Sequence, residues 1–228
     1  MIEPSHYLVP GFSQTAGAWG QVLEALSDRA AARPLDIPRR ATFRQTAQAL
    51  SEDRTGIWAG YSLGGRLALQ VALDHPAAVD GLMLISTNPG ITDPHARAAR
   101  RADDEYLADQ VEADGVDAFL TRWLSQPLFA DLDFSAARRH RLNSAEAMAH
   151  QLRALGQGIQ EPLWDRLPEL AMPVTLVAGE HDEKFCAIAR RAKTAIGANA
   201  TVEVVAGAGH NLLLAAPGAV AGLLGSLR

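Results

Sequence analysis

A serine set among glycines, where a strand pattern gives way to a helix pattern, constrains this chain more than any other stretch. It reads Gly60-Tyr61-Ser62-Leu63-Gly64-Gly65-Arg66. Ahead of it, Gly56-Ile57-Trp58-Ala59 is short, apolar and β-prone. Behind it, Leu67-Ala68-Leu69-Gln70-Val71-Ala72-Leu73 carries apolar groups at helical spacing and stops before Pro76. A serine on so sharp a turn takes a strained backbone, and side chains two positions to either side would collide. Gly60 and Gly64 remove those side chains. The helix that starts there aims backbone N–H groups at any negative charge that develops beside the serine oxygen. G-x-S-x-G between a strand and a helix therefore reads as a nucleophile elbow, with Ser62 the nucleophile. The plainer alternative is a glycine-rich turn whose serine merely caps a helix. The two correct flanks favour the elbow.

The rest of the chain supplies the frame for such a turn. His6–Val9 reads as a buried strand and Pro10-Gly11-Phe12-Ser13 as the loop leaving it. Trp19–Leu26 has one apolar helical face, Leu35–Ile37 is a short strand candidate, and Thr42–Leu50 is a second helix. Val79–Ile85 is a strand closed by Asn88-Pro89-Gly90. Strands alternating with helices predict a mostly parallel sheet covered on both faces. From Ile91 to Asp165 the rhythm changes to helices alone, at Ala96–Ala113, Val116–Leu124, Ala136–Leu142 and Ala145–Leu155. An all-helical insert between strands of a parallel sheet predicts a cap, 91–165, over the carboxyl edge where ligands bind. The core is then 1–90 with 166–228. In that second part Val174–Ala178 and Thr201–Val205 are strands, and Phe185–Ile196 and Ala219–Leu227 are helices.

Serine is a poor nucleophile or base at neutral pH, so it needs an imidazole, and the imidazole needs an orienting acid. Elbows of this type take those partners in the order serine, acid, histidine. Gly179-Glu180-His181-Asp182 follows one strand and Ala206-Gly207-Ala208-Gly209-His210 the next, both at the strand ends that face the elbow. His210 is the candidate base; His181, the nearest competitor, reads as a surface loop histidine. Asp182 is favoured as the acid by strand-end register, with Glu180 two residues away as the alternative. Two backbone N–H groups, at Leu63 and at Phe12, are placed to form an oxyanion hole.

Composition removes other classes of function. A net charge of −5 offers no basic stripe for a nucleic-acid partner. One cysteine, Cys186, excludes an internal disulfide and a multi-cysteine metal cluster. The greasiest segment, Leu212–Gly225, is broken by Pro217 and is too short for a membrane span. The N-terminus, with Glu3 and Pro4, lacks the regions of a signal peptide, so a cytoplasmic protein is expected. The basic side chains are arginines apart from Lys184 and Lys193, which supplies forked donors suited to carboxylates.

Elbow and partner order together resemble the α/β-hydrolase fold over nearly the whole chain. Within it, four phrases resemble the 2-succinyl-6-hydroxy-2,4-cyclohexadiene-1-carboxylate synthases of menaquinone biosynthesis. They are Gly60–Arg66, Trp123-Leu124-Ser125-Gln126-Pro127-Leu128-Phe129, Gly179–Phe185 and Ala208-Gly209-His210-Asn211. The resemblance implies a lyase in which serine and histidine remove a proton from a succinylated cyclohexene substrate and expel pyruvate. It implies no metal or organic cofactor. The small substrate carries several carboxylates, and the resemblance matches Arg66, Arg100, Arg141, Trp123 and Tyr61 to the residues that receive it. For Arg66 the competing reading is a salt bridge within the core, and for Arg100 and Arg141 a solvated helix face. Trp123 could instead simply pack under the cap. One departure stands out: the first loop reads Pro10-Gly11-Phe12 where the family's reads His-Gly-Phe, so other hydrogen bonds must hold it. A serine carboxylesterase or carbon–carbon hydrolase of the same fold is the alternative activity, and a silent binding protein a third. Haloalkane dehalogenation is excluded, since it needs an aspartate at position 62.

Overall fold

The computed structural model describes residues 5–27, 31–129 and 132–227. Glu3 and Pro4, on which the expectation about the N-terminus rested, lie outside them. The elements in chain order are β1 (Ser5–Val9), α1 (Gly20–Ala25), β2 (Ala32–Pro34), α2 (Phe43–Ser51), β3 (Gly56–Tyr61), α3 (Leu63–Asp74) and β4 (Val79–Ile85). There follow α4 (Pro94–Leu124), α5 (Phe134–Arg138), α6 (Ala145–Leu155), β5 (Val174–Gly179), α7 (Glu183–Ile196), β6 (Ala200–Val205), α8 (Leu212–Ala215) and α9 (Pro217–Ser226). The six strands form one sheet in the order β2-β1-β3-β4-β5-β6, every pairing parallel. This is the α/β-hydrolase architecture, with α4, α5 and α6 inserted between β4 and β5. Among the described residues no helix is long and apolar enough to cross a membrane.

Strand alternation builds the two cores. Successive side chains of a strand point to opposite faces, and a parallel sheet covered on both faces is apolar on both. On β3, Ile57, Ala59 and Tyr61 join one buried cluster and Trp58 the other. On β4, Leu82 and Leu84 face the side of Trp58, while Met83 and Ile85 face the side of Ile57. Helix α3 lies against the face of Trp58 and is buried along nearly its whole length, Arg66 and Gln70 included.

Two expectations shift. The second strand is Ala32–Pro34 rather than Leu35–Ile37, because the register pairs His6 with Ala32 and Leu8 with Pro34. Leu35, whose amide still donates to the Leu8 carbonyl at 2.9 Å, and Ile37 pack on the core from the following loop, which explains their apolar character. The helix expected over Ala136–Leu142 is Phe134–Arg138, capped at its start by Asp133, whose side chain accepts from the Ala136 amide. It stops because the next residues are taken up elsewhere. His140 turns to φ 60°, its carbonyl accepts from the Thr15 amide at 2.8 Å, and Arg141 bridges Gln14. The expected division between Ala96–Ala113 and Val116–Leu124 holds: α4 is two helices meeting at a kink, where Gly115 takes the non-helical φ 82° and ψ 167°.

The elbow glycines lead to a stability prediction. A Cβ on Gly64 would lie 2.1 Å from the Val9 carbonyl oxygen and 2.5 Å from that of Pro10, backbone atoms that cannot rotate away. Gly64→Ala is therefore expected to destabilise by roughly 1–3 kcal/mol or more, the cost of overpacking. For a domain of this size that lowers Tm by about 2–4 °C per kcal/mol. Gly222, inside α9 with open space around it, is the control. Gly222→Ala should hold or raise Tm, by the helix preference of alanine worth up to ~1 kcal/mol. Equal Tm changes in the two variants would contradict the close approach at the elbow.

Candidate active site

Ser62 sits between the last residue of β3 and the first of α3, at φ 52° and ψ −108°. A positive φ on a residue with a side chain is strained. The surroundings hold it there: the Ser62 amide donates to the Ile85 carbonyl at 2.8 Å, and the Ser62 carbonyl accepts from the Arg66 amide at 3.1 Å. Gly60 is equally confined, since a Cβ there would meet the Gly64 carbonyl oxygen at 2.3 Å. The Ser62 hydroxyl makes no hydrogen bond among the described residues, and it faces a cavity of about 350 Å³.

The loops after β5 and β6 bring the other two residues together. Asp182 Oδ2 lies 2.6 Å from His210 Nδ1, with both residues buried. Asp182 Oδ1 accepts from the Phe185 amide at 3.3 Å and so caps α7, which fixes the carboxylate from its other side. Glu180 is committed elsewhere: its Oε2 accepts from the Gly207 amide at 2.8 Å. His181 is exposed. The carbonyl of His210 accepts from Ser86 Oγ at 2.8 Å, and the Phe185 ring packs edge-on against the imidazole at 4.6 Å. His210 and Ser62 both line the cavity, as do Phe12 and Leu63. Leu63 is the first residue of α3, where backbone N–H groups have no partner within the helix.

All five residues expected to receive a substrate border the same cavity: Tyr61, Arg66, Arg100, Trp123 and Arg141. Their environments differ. Arg66 is only 7% exposed, and its Nη1 and Nη2 donate at 2.8 Å to Gln160 Oε1 and to the Leu155 carbonyl. Its guanidinium lies over the Phe43 ring. Among the described residues it makes no ion pair, so the core salt bridge weighed against a binding role is absent there. Burial pushes its pKa down to about 9, with Arg100 adding to the effect and Asp104 opposing it. Arg141 donates from Nε to the Ala137 carbonyl and from Nη1 to the Phe12 carbonyl and Ser13 Oγ. Burial lowers its pKa to about 10, with Tyr61 opposing. Arg100 is the exception, bound at 2.8 Å to Asp104, a carboxylate that is itself buried. Trp123 stacks on Phe119 and meets Phe12 edge-on at 5.0 Å, forming an aromatic wall between cap and first loop.

The loop that departs from His-Gly-Phe is held by glutamines. The Gly11 amide donates to Gln14 Oε1 at 2.9 Å, and the Ser13 amide to Gln151 Oε1 at 2.8 Å. Gly11 itself must lack a Cβ, which would stand 2.7 Å from the Tyr61 ring. Sequence reading passed over Gln14 and Gln151, and gave no role to Lys184 or Gln126, which lie in the phrases quoted above and also border the cavity. The Pro10 departure was the one signal that the loop needed other partners.

The alpha/beta hydrolase fold family model matches residues 10–217. A relative from Bacillus subtilis (strain 168), 36% identical, matches over 69% of this chain but only 60% of its own length. The 2-succinyl-6-hydroxy-2,4-cyclohexadiene-1-carboxylate synthase of Enterobacter sp. (strain 638) is 32% identical, and the match covers 95% of this chain and 88% of that protein. Among solved structures, MenH from S. aureus superposes with a TM-score of 0.90 at 25% identity, covering 100% of this chain and 94% of that one.

Proposed function

This chain belongs to the α/β-hydrolase-fold family, and from that premise we propose that it is a lyase of the kind its relatives are named for, forming 2-succinyl-6-hydroxy-2,4-cyclohexadiene-1-carboxylate in menaquinone biosynthesis. Residues 91–165 act as the cap over a core made of 1–90 and 166–228. The observation that carries the reading is the Arg66 guanidinium. It is buried four residues past Ser62, borders the cavity, and is held by neutral acceptors alone. A buried charge without an opposite partner is costly. A substrate carboxylate relieves that cost, and a small neutral ester does not.

In this reading Ser62, Asp182 and His210 form a triad. Asp182 accepts the Nδ1 proton of His210, which leaves Nε2 unprotonated and able to take the Ser62 proton. The Ser62 oxygen then removes a proton from a ring carbon beside the succinyl carbonyl. The N–H groups of Leu63 and Phe12 hold the charge that gathers on that carbonyl oxygen. The electron pair moves through the ring, forms its second double bond and breaks the carbon–oxygen bond to the pyruvyl group. Pyruvate leaves as its enolate and takes a proton, with His210 as the donor. Arg66 and Arg141 receive carboxylates, Arg100 shares its charge with Asp104, and Trp123 and Tyr61 line the ring.

A serine carboxylesterase would use the same three residues with Ser62 as a covalent nucleophile, and the cavity-facing Ser62 hydroxyl suits that chemistry too. The experiment is to supply the succinylated cyclohexene substrate and follow pyruvate, beside hydrolysis of a small neutral ester, in wild type, Arg66→Ala and Arg66→Lys. Arg66→Ala is expected to lower kcat/KM for pyruvate release at least tens-fold, since truncating one side of a buried charge pair costs roughly 2–5 kcal/mol. Lysine should rescue only in part, because it lacks the planar two-pronged donor. Ester cleavage should hardly change. Equal losses on both substrates, tracking a fall in Tm, would give Arg66 a structural role and move the esterase ahead.

A further inference from the structure

Arg66 is buried, yet it is not free to turn. Gln160 Oε1 takes Nη1 and the Leu155 carbonyl takes Nη2, each at 2.8 Å. Leu155 is the last residue of α6, so its carbonyl lies at the negative end of that helix. Gln160 is 1% exposed, and its backbone amide donates to the Gly156 carbonyl in the turn after α6. Its side-chain Nε2 donates to the Pro89 carbonyl, which also accepts from the Leu163 amide. The glutamine amide is thus clamped at both ends between the inserted helices and the loop after β4. A carboxylate of the same shape would orient a guanidinium just as well and, in a buried site, gain more from it. It would also neutralise the charge on which carboxylate binding depends.

We propose that Gln160 is a positioning residue for Arg66: a buried neutral amide that fixes the guanidinium toward the cavity while leaving its charge for an incoming carboxylate. The proposal rests on the reading that Arg66 receives a substrate carboxylate. The two substitutions that probe it keep the side chain's length. Both give up the donor to the Pro89 carbonyl; Gln160→Met also removes the acceptor, and Gln160→Glu keeps the acceptor and adds the charge.

Steady-state kinetics of pyruvate release and Tm are measured on the full chain for wild type, Arg66→Ala, Gln160→Met and Gln160→Glu. Both Gln160 variants are expected to raise KM about tenfold with a smaller change in kcat, the scale of a hydrogen bond to a charged group. In Gln160→Glu this rise should exceed what its fall in Tm accounts for, since the carboxylate keeps the bond to Arg66 but cannot donate to the Pro89 carbonyl. A purely structural glutamine would behave otherwise, its KM moving only as far as Tm falls. If wild type and Arg66→Ala behave as above but Gln160→Glu keeps the wild-type KM, the positioning role is overturned and the Arg66 reading stands. If wild type releases no pyruvate, or Arg66→Ala binds substrate as wild type does, both readings fall together.

Discussion

Ser62→Ala and His210→Ala are each expected to cut pyruvate release by ~1,000-fold or more, because the residues of the proposed triad would act as one unit and either loss would disable it. The fold should survive both changes. Ser62 uses its backbone, not its side chain, to hold the elbow, through the Ser62 amide to the Ile85 carbonyl and the Arg66 amide to the Ser62 carbonyl. His210 is anchored in the same way by its carbonyl to Ser86 Oγ. Circular dichroism should therefore match wild type while turnover collapses. A variant that kept a tenth or more of its activity with an unchanged spectrum would remove that residue from the chemistry. The double variant should be little worse than either single one, which is the signature of shared function rather than two separate contributions.

Asp182→Asn should cost on the order of 10²–10⁴ in kcat, the scale seen when the acid of such a triad loses its charge. The structure makes this substitution unusually clean. Asparagine caps helices as well as aspartate does, so the bond from the Phe185 amide to position 182 survives and α7 keeps its start. At the other oxygen the change is severe. An amide NH₂ facing His210 Nδ1 donates where a carboxylate accepted, so the proton moves to Nε2 and the imidazole can no longer take one from Ser62. Glu180→Gln is the companion variant. Its partner is the Gly207 amide in an exposed loop, and a glutamine oxygen can accept that bond, so activity should stay within a few-fold of wild type. Assays of both variants beside their Tm values decide the matter. A ranking with Glu180→Gln the more damaging would transfer the orienting role to Glu180.

The parts of this molecule that sequence made legible are those where one chemical requirement admits few residues. A serine at positive φ beside backbone at van der Waals distance leaves only glycine at 60 and 64, so the elbow announces itself. Strands β3, β4 and β5 are legible as short, nearly unbroken apolar runs because both faces of the sheet are buried. The bond that tells Asp182 from Glu180 needed three dimensions, because both precede the same helix and differ only in which loop they meet. Gln14, Gln151 and Gln160 stayed silent for another reason. A buried amide satisfied by a residue far along the chain carries no periodicity, and Gln151 meets Ser13 across 138 positions. Residues 139–142 misled for a related cause: their helical pattern is overridden by partners in the loop after β1.

That seam has a consequence for anyone who would exchange one cap for another. The inserted helices are not a free module between β4 and β5. The loop carrying Phe12 is stitched to them at Thr15 with His140, at Leu142 with Ser13, at Gln151 with Ser13, and through Arg141 to the Phe12 carbonyl. A chimaera that grafts a foreign insert at the strand ends would keep the elbow and the Asp182–His210 pair intact, and would orphan the opposite wall. Transplants that carry residues 139–151 along with the new insert should retain that wall, whereas splicing at the strand boundaries alone should yield folded but poorly active protein. The inheritance of specificity in this molecule therefore runs through these stitching residues as much as through the side chains that touch a substrate.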